Sequence, residues 1–288
     1  MKHVAEQFDY TTGRVALRPA GLSMMAALYR YRTFIARSAW NELRDRYAGS
    51  GIGVFWNILV PLIQIAIYVF IFSAIMGARV AANGQGAPKP FAFVLFLCSG
   101  MLPWLAFAEA MSRGTLSLVR NASYLKKMAL PEVIFIAQSA LVGFLSAAIS
   151  LGLFFLAGIP MGLPVGWSYL LVPVVLLLFQ ALSFGFSLSL ASLNVLFHDV
   201  GQAVGLLMPM WMWLTPIVYA ETILPPAARA LIHWNPAYGF ITAFRDIFLN
   251  NRVPAPATWG MMIGWVITSI ILGYVVLSKL RVEIRDIL

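Results

Sequence analysis

The sequence predicts an all-α polytopic membrane protein with six transmembrane helices, and three observations predict it. Of 288 residues, 61% are hydrophobic and only 11% are charged, more apolar surface than one water-soluble globule of this length could hide. The apolar residues gather in six long runs separated by polar gaps. These runs are apolar on every side, whereas barrel strands would alternate apolar and polar residues over about ten positions.

The elements follow in order. Residues 1–51 form a cytoplasmic amino-terminal segment, and within it residues 22–47 are polar enough to stay out of the membrane. There Leu28, Tyr31, Ile35, Ala39, Leu43 and Tyr47 recur at helical steps, while Arg30, Arg37 and Arg44 form a basic stripe. That pattern predicts an amphipathic helix along the inner interface, with arginines at the headgroups. The glycines Gly49, Gly51 and Gly53 then allow a hinge before the first span. Crossing a hydrocarbon core about 30 Å thick takes roughly 20 helical residues. The runs that qualify are 52–76, 91–111, 133–159, 169–196, 203–219 and 259–277, within a transmembrane domain of residues 52–280. Residues 113–130 form a basic segment ending at Pro131, predicted to project below the membrane as a short helix through which an outside engine could push on two spans. Residues 220–256 carry Pro225-Pro226 and Asn235-Pro236, each a start signal for a helix too short to cross, so an outer helical hairpin, re-entrant or interfacial, is predicted. Pro209 and Pro216 predict a bend in span 5, and residues 281–288 form a tail.

Charge sets the orientation. With the amino terminus cytoplasmic, fifteen of the 20 Lys and Arg residues lie inside and five outside, as expected for short loops beside a membrane. Both termini are therefore expected in the cytoplasm, and the net charge of +9 reads as topology rather than nucleic-acid binding. The first fifty residues hold no apolar core with a small-residue cleavage site, which argues against a removed signal peptide.

Signatures of intramembrane chemistry are missing. Ion-coupled transporters need ionisable groups at mid-membrane, and here Glu109 with Arg113 reads as a helix-end ion pair, while Glu132 after Pro131 suits the positive end of a helix. Gly185-Phe186-Ser187 resembles the Gly-x-Ser of intramembrane proteases, but that chemistry needs a histidine base, and His3, His198 and His233 all fall in loops or termini. Gly185, Ser187 and Ser189 are instead expected at a helix–helix contact. No Lys precedes Ser or Thr, so the phosphate-gripping Gly-x4-Gly-Lys-Ser/Thr loop is absent, and no spacing of Cys, His and carboxylates suggests a metal. No catalytic, cofactor or metal residue is expected in this chain, and Cys98 reads as packing. Any ATP that drives the protein is hydrolysed by another polypeptide.

Eight aromatics on spans 1, 2 and 5 stand out: Trp56, Phe91, Phe93, Trp104, Phe107, Trp211, Trp213 and Tyr219. Rings near span ends serve as interfacial anchors, and rings also stack on the C–H faces of sugars, giving a sliding contact for a polymer in transit. Both readings stay open at this point.

Several strings carry a resemblance. RYAGSGIGVFWNILVPLIQ from Arg46, GMLPWLAF from Gly100, Asn121 with Leu130-Pro131, HDVGQ from His198, TPIVY from Thr215 and NPAYGFITAFRD from Asn235 occur in family order. Together they resemble the permease subunit of type-2 ABC exporters, in particular those moving O-antigen, capsular polysaccharide or teichoic acid. The chain departs at His198, where the family commonly has Arg, and at Leu130, where it commonly has Phe. The resemblance implies a homodimer in the bacterial inner membrane, carrying two copies of a separate ATPase that holds ATP and magnesium. It implies a lipid-linked polysaccharide moving between the protomers past the eight aromatics, with Arg30, Arg37 and Arg44 facing a lipid pyrophosphate or headgroup. It also assigns ATPase coupling to Arg113, Arg120, Asn121, Lys126, Lys127 and Pro131. The alternatives are a type-2 exporter of drugs or lipids, which shares the fold, and an ATP-independent channel or intramembrane enzyme.

Overall fold

The computed structural model describes residues 24–46, 49–71, 91–127 and 130–287. The arm with Arg14 and Arg18, Tyr47, the end of the first predicted span and the loop with Arg79 and Lys89 lie outside the described residues. Among the described residues the chain is helical, with no strand. The order is α1 (Met24–Arg30), α2 (Arg32–Asp45), α3 (Trp56–Val69), α4 (Ala92–Arg120), α5 (Ala122–Lys127), α6 (Val133–Gly158), α7 (Val172–Leu196), α8 (Asp199–Leu214), α9 (Pro226–Ile232), α10 (Tyr238–Phe248), α11 (Pro256–Lys279) and α12 (Arg281–Ile287).

Four helical stretches are long and apolar enough to cross a bilayer: α4, α6, α7 with the 3-10 turn before it, and α11. Two further apolar helices, α3 and α8, are shorter within the described residues. The sixteen residues of α8 rise about 24 Å, less than the ~30 Å of a hydrocarbon core. The sequence places span 5 at residues 203–219, but the helix stops at Leu214. Thr215 turns to extended backbone with φ −102° and ψ 135°, as the clash with the following Pro216 ring demands.

Two other boundaries differ from expectation. The predicted interfacial helix is broken at Tyr31, whose φ of −99° and ψ of 12° leave the helical well between α1 and α2. Its apolar stripe is nonetheless the buried one, since Ile35, Ala39 and Leu43 are covered while Arg30, Arg37 and Arg44 are exposed. The second span also runs on: α4 continues for 29 residues to Arg120, so Arg113 rides on the span itself, and the separate helix is the six-residue α5. Pro103 lies inside this helix without ending it, and no further proline follows before Asn121, so the ladder continues past the apolar stretch.

The centre of the bundle is α7, packed against α4 and α11. Small residues let the backbones approach: a Cβ added at Gly185 would lie 2.7 Å from the Ile270 backbone nitrogen, one at Gly273 would strike the Gly185 carbonyl, and one at Gly114 would strike Ser187. The expected packing role of Gly185 and Ser187 is thus seen directly. Stacked rings fill the part of this core that faces α10, with Phe107 on Phe179 at 4.3 Å between centroids and Phe179 on Phe240 at 4.7 Å.

Candidate functional site

Four sets of side chains are arranged along the bundle, beginning at the end where α2, α4 and α6 meet. Glu42 on α2 accepts from Arg113 on α4 at 2.6 Å and from Gln138 on α6 at 2.8 Å. Arg113 also reaches Glu109 at 2.9 Å, and Glu109 meets Arg46, at the end of α2, at 2.8 Å. Two arginines and two glutamates therefore neutralise each other, which lets four charges sit where apolar helices converge. The sequence showed the Glu109–Arg113 pair as a helix-end contact. It did not reveal Glu42, Arg46 and Gln138, because a partner 71 or 96 positions away leaves no local spacing. The nearest signal was Gln138 itself, a polar residue inside an apolar run. Above the network, Arg46, Trp56, Asn57, Gln64, Glu109, Ser146 and Ser150 help line a cavity of about 120 Å³. Asn57 pins α3 to α2 by donating to the Leu43 carbonyl at 3.0 Å.

The predicted coupling residues follow. Arg120 is exposed at the end of α4, and the Asn121 amide donates to the Ser117 carbonyl at 2.8 Å, capping α4 as the chain turns into α5. Lys126 and Lys127 are exposed in the last turn of α5, where cations suit the negative end of a helix. Pro131 is buried. Glu132 then precedes α6 without capping it by a side-chain hydrogen bond; its carboxylate faces Arg281 and Arg285 of α12 instead.

The eight aromatics divide by burial. Trp104 and Phe107 lie in the core of the bundle, 1% and 0% exposed, with Trp211 edge-on to both at 5.6 and 5.7 Å. Trp213 is 59% exposed. Trp56, Phe91, Phe93 and Tyr219 are half-buried, and Phe93 stacks with Phe96 at 6.3 Å. Thus Trp104, Phe107 and Trp211 come together, Tyr219 donates to the Trp213 carbonyl at 3.0 Å, and the others lie apart.

The far end of α8 is held by the hairpin. Asn235 accepts from the Trp211 indole at 2.8 Å and from the Ala237 backbone at 3.0 Å, and donates to the Thr215 hydroxyl at 2.9 Å. Arg245 donates to the carbonyls of Pro216 and Ile217 at 2.6 and 2.7 Å, with Phe96 under its guanidinium at 3.7 Å. These carbonyls follow the helix end and would otherwise be orphaned. Burial pushes the Arg245 guanidinium down to about 10, so it stays a cation at neutral pH. Beside it, burial first, and then the Glu221 carboxylate bonded at 2.7 Å, push the Tyr238 phenol up to about 12. The sequence identified Asn235-Pro236 as a helix start, with α10 beginning at Tyr238, and missed the grip of Asn235 on Trp211. Arg245 passed as one of several outer cations.

Among the described residues no group of His, Cys, Asp and Glu could hold a metal ion. The arrangement offers ion-pair and hydrogen-bond joints at both ends of an apolar bundle.

Comparison with known proteins gives a consistent picture. A model of the family described as "ABC-2 type transporter" matches residues 34–249. The "O-antigen export system permease protein RfbA" of Myxococcus xanthus is 28% identical over 257 residues, covering 86% of this chain and 95% of that one. A protein of the same name from Klebsiella pneumoniae is also 28% identical over 257 residues, covering 86% and 92%. The "Inner membrane transport permease YadH" of Escherichia coli K12 is 26% identical over 247 residues, covering 78% and 88%.

Proposed function

The chain belongs to the ABC-2 type transporter family, and from that premise we propose that it is the membrane permease of an ATP-driven exporter of a lipid-linked polysaccharide. The observation that carries the reading is near end-to-end similarity to permeases named for O-antigen export, in two different bacteria. O-antigen is accordingly the proposed cargo class, with capsular polysaccharide the variant of the same chemistry.

The proposed machine is a homodimer in the bacterial inner membrane, six spans to each protomer, both termini in the cytoplasm, with two copies of a separate ATPase holding ATP and magnesium. This chain hydrolyses nothing itself. Closure of the ATPases pushes on the exposed cations of α5 and on Arg120. The push reaches α4 directly, because α4 and its cytoplasmic extension are one helix, and reaches α2 through the Arg113–Glu42 pair. Arg30, Arg37 and Arg44 are the proposed contacts to headgroup or pyrophosphate oxygens, a reading supported by their exposure along α1 and α2. Exposed Trp213 and half-buried Trp56, Phe91, Phe93 and Tyr219 offer ring surface to a passing glycan, and Trp104, Phe107 and Trp211 brace that wall from behind.

Co-purification with ABC ATPase subunits of the same cell tests the reading. The expected result is a stable complex whose ATP hydrolysis changes when Lys126 and Lys127 are both replaced by Glu. Failure to bind an ATPase, with hydrolysis indifferent to this chain, overturns it.

A further inference from the structure

Glu132 is 1% exposed and sits where the chain re-enters the bundle after α5. Its carboxylate accepts from Arg285 Nε at 2.8 Å and faces Arg281 Nε at 3.5 Å, both on the carboxy-terminal helix α12. A carboxylate this well covered, with its side chain 2% exposed, is costly to bury without a charged partner. Arg285 reaches it across 153 positions of sequence. Between them on α12, Ile284 is 0% exposed and joins a core with Leu118 of α4, Leu130, Val133 of α6, Leu188 of α7 and Leu277 of α11. Ala27 and Ile35 of α1 and α2 enter the same core, and Leu125 of α5 packs on it. Residues of α1, α2, α4, α5, α6, α7 and α11 therefore share one core with α12.

We propose that α12 is a working part of the coupling apparatus and that Arg285, acting through Glu132, is a positioning residue for it. The inference rests on the reading of this chain as an ATPase-driven permease. A lever passes on a displacement only if its fulcrum is fixed. The α5 segment is six residues long, too short to be stiff alone, and it is flanked by the bend at Asn121 and by Pro131, which lacks an N–H to tie into α6. Displacement of α5 would be absorbed at Leu130-Pro131 unless the first turn of α6 were anchored. The Glu132–Arg285 bond supplies that anchor and ties it to the end of α11, so the last span moves with the second and third.

The test uses the full-length chain with its ATPase in proteoliposomes, comparing wild type, Arg285→Glu and Arg285→Lys for complex yield, ATP hydrolysis and glycan exported per ATP. Arg285 is 37% exposed, so the substitutions need not unfold the bundle. For Arg285→Glu the expected result is normal assembly, hydrolysis within about twofold of wild type, and export per ATP lower by about tenfold, within the range of coupling between linked sites. Arg285→Lys is expected to recover most of that ratio. If Arg285→Glu does not assemble, Glu132→Gln, which keeps the buried volume, carries the same expectation. An unchanged export-to-hydrolysis ratio, or a loss of export that only tracks loss of complex, overturns the proposal. A wild-type complex with no ATP-dependent export overturns the functional reading beneath it, and this inference with it.

Discussion

Arg113 and Glu42 meet at 2.6 Å across 71 positions of sequence, fastening the amphipathic helix α2 to the extension of α4. Both side chains are largely covered, at 23% and 28% exposed, so the pair is less screened than a surface ion pair.

Their coupling is measurable by a double-mutant cycle of Glu42→Gln and Arg113→Met, read by thermal unfolding in detergent. Residues sharing one network depart from additivity by about 0.5–3 kcal/mol, and the same is expected here. Arg113→Met is expected to be the costlier single change, because it leaves both Glu42 and Glu109 short of a partner. Strict additivity would mean that the two helices are not joined through this contact.

Trp104 and Trp213 are expected to separate packing from transport. Trp104→Ala removes a ring that touches Phe107 and Trp211 in the core and should cost about 3–5 kcal/mol, seen as a lower unfolding temperature. Trp213→Ala should leave that temperature unchanged and slow glycan export. The opposite pattern would remove Trp213 from the proposed path.

Two glycines of α11 predict opposite outcomes for one chemical change. Gly273→Ala drives a methyl against the Gly185 carbonyl and Leu188, so a loss of about 1–3 kcal/mol is expected from overpacking. Gly264→Ala meets nothing within 4 Å and should be neutral, or stabilising by up to ~1 kcal/mol through helix propensity. Equal effects in unfolding experiments would contradict the close α7–α11 contact.

At the other end of α8, Asn235→Ala leaves the Trp211 indole without its acceptor and removes the donor to the Thr215 hydroxyl, which keeps only its bond to the Trp211 carbonyl. A cost of about 1–3 kcal/mol is expected, with a change in tryptophan emission as the indole loses its acceptor. Asn235→Asp keeps that acceptor and should preserve the emission better than Ala does.

Much of this fold was legible because lipid imposes a simple code. A helix in hydrocarbon must be apolar on all sides and about twenty residues long, and α6, α7 and α11 fall within a few residues of the predicted runs. The amphipathic face at Ile35, Ala39 and Leu43 was equally plain, since period alone defines it. Helix ends were less so. The sequence places a bend at Pro216 within span 5, where the helix has already ended at Leu214, and a separate short helix over 113–130, where α4 runs on to Arg120, because no local residue marks where a span leaves the membrane. The joints were least legible. Glu42–Arg113, Glu132–Arg285 and Asn235–Trp211 each pair residues that periodicity treats independently, and only the packing of the helices brings them together.

The central claim is that this bundle moves its cargo only when driven by a docked ATPase. The most direct measurement is the ATP-dependent appearance of a lipid-linked glycan on the far side of proteoliposomes containing this chain, with and without its ATPase. Transport that requires both the second subunit and hydrolysable ATP is the predicted result. Uphill movement by this chain alone, without nucleotide, would contradict the account.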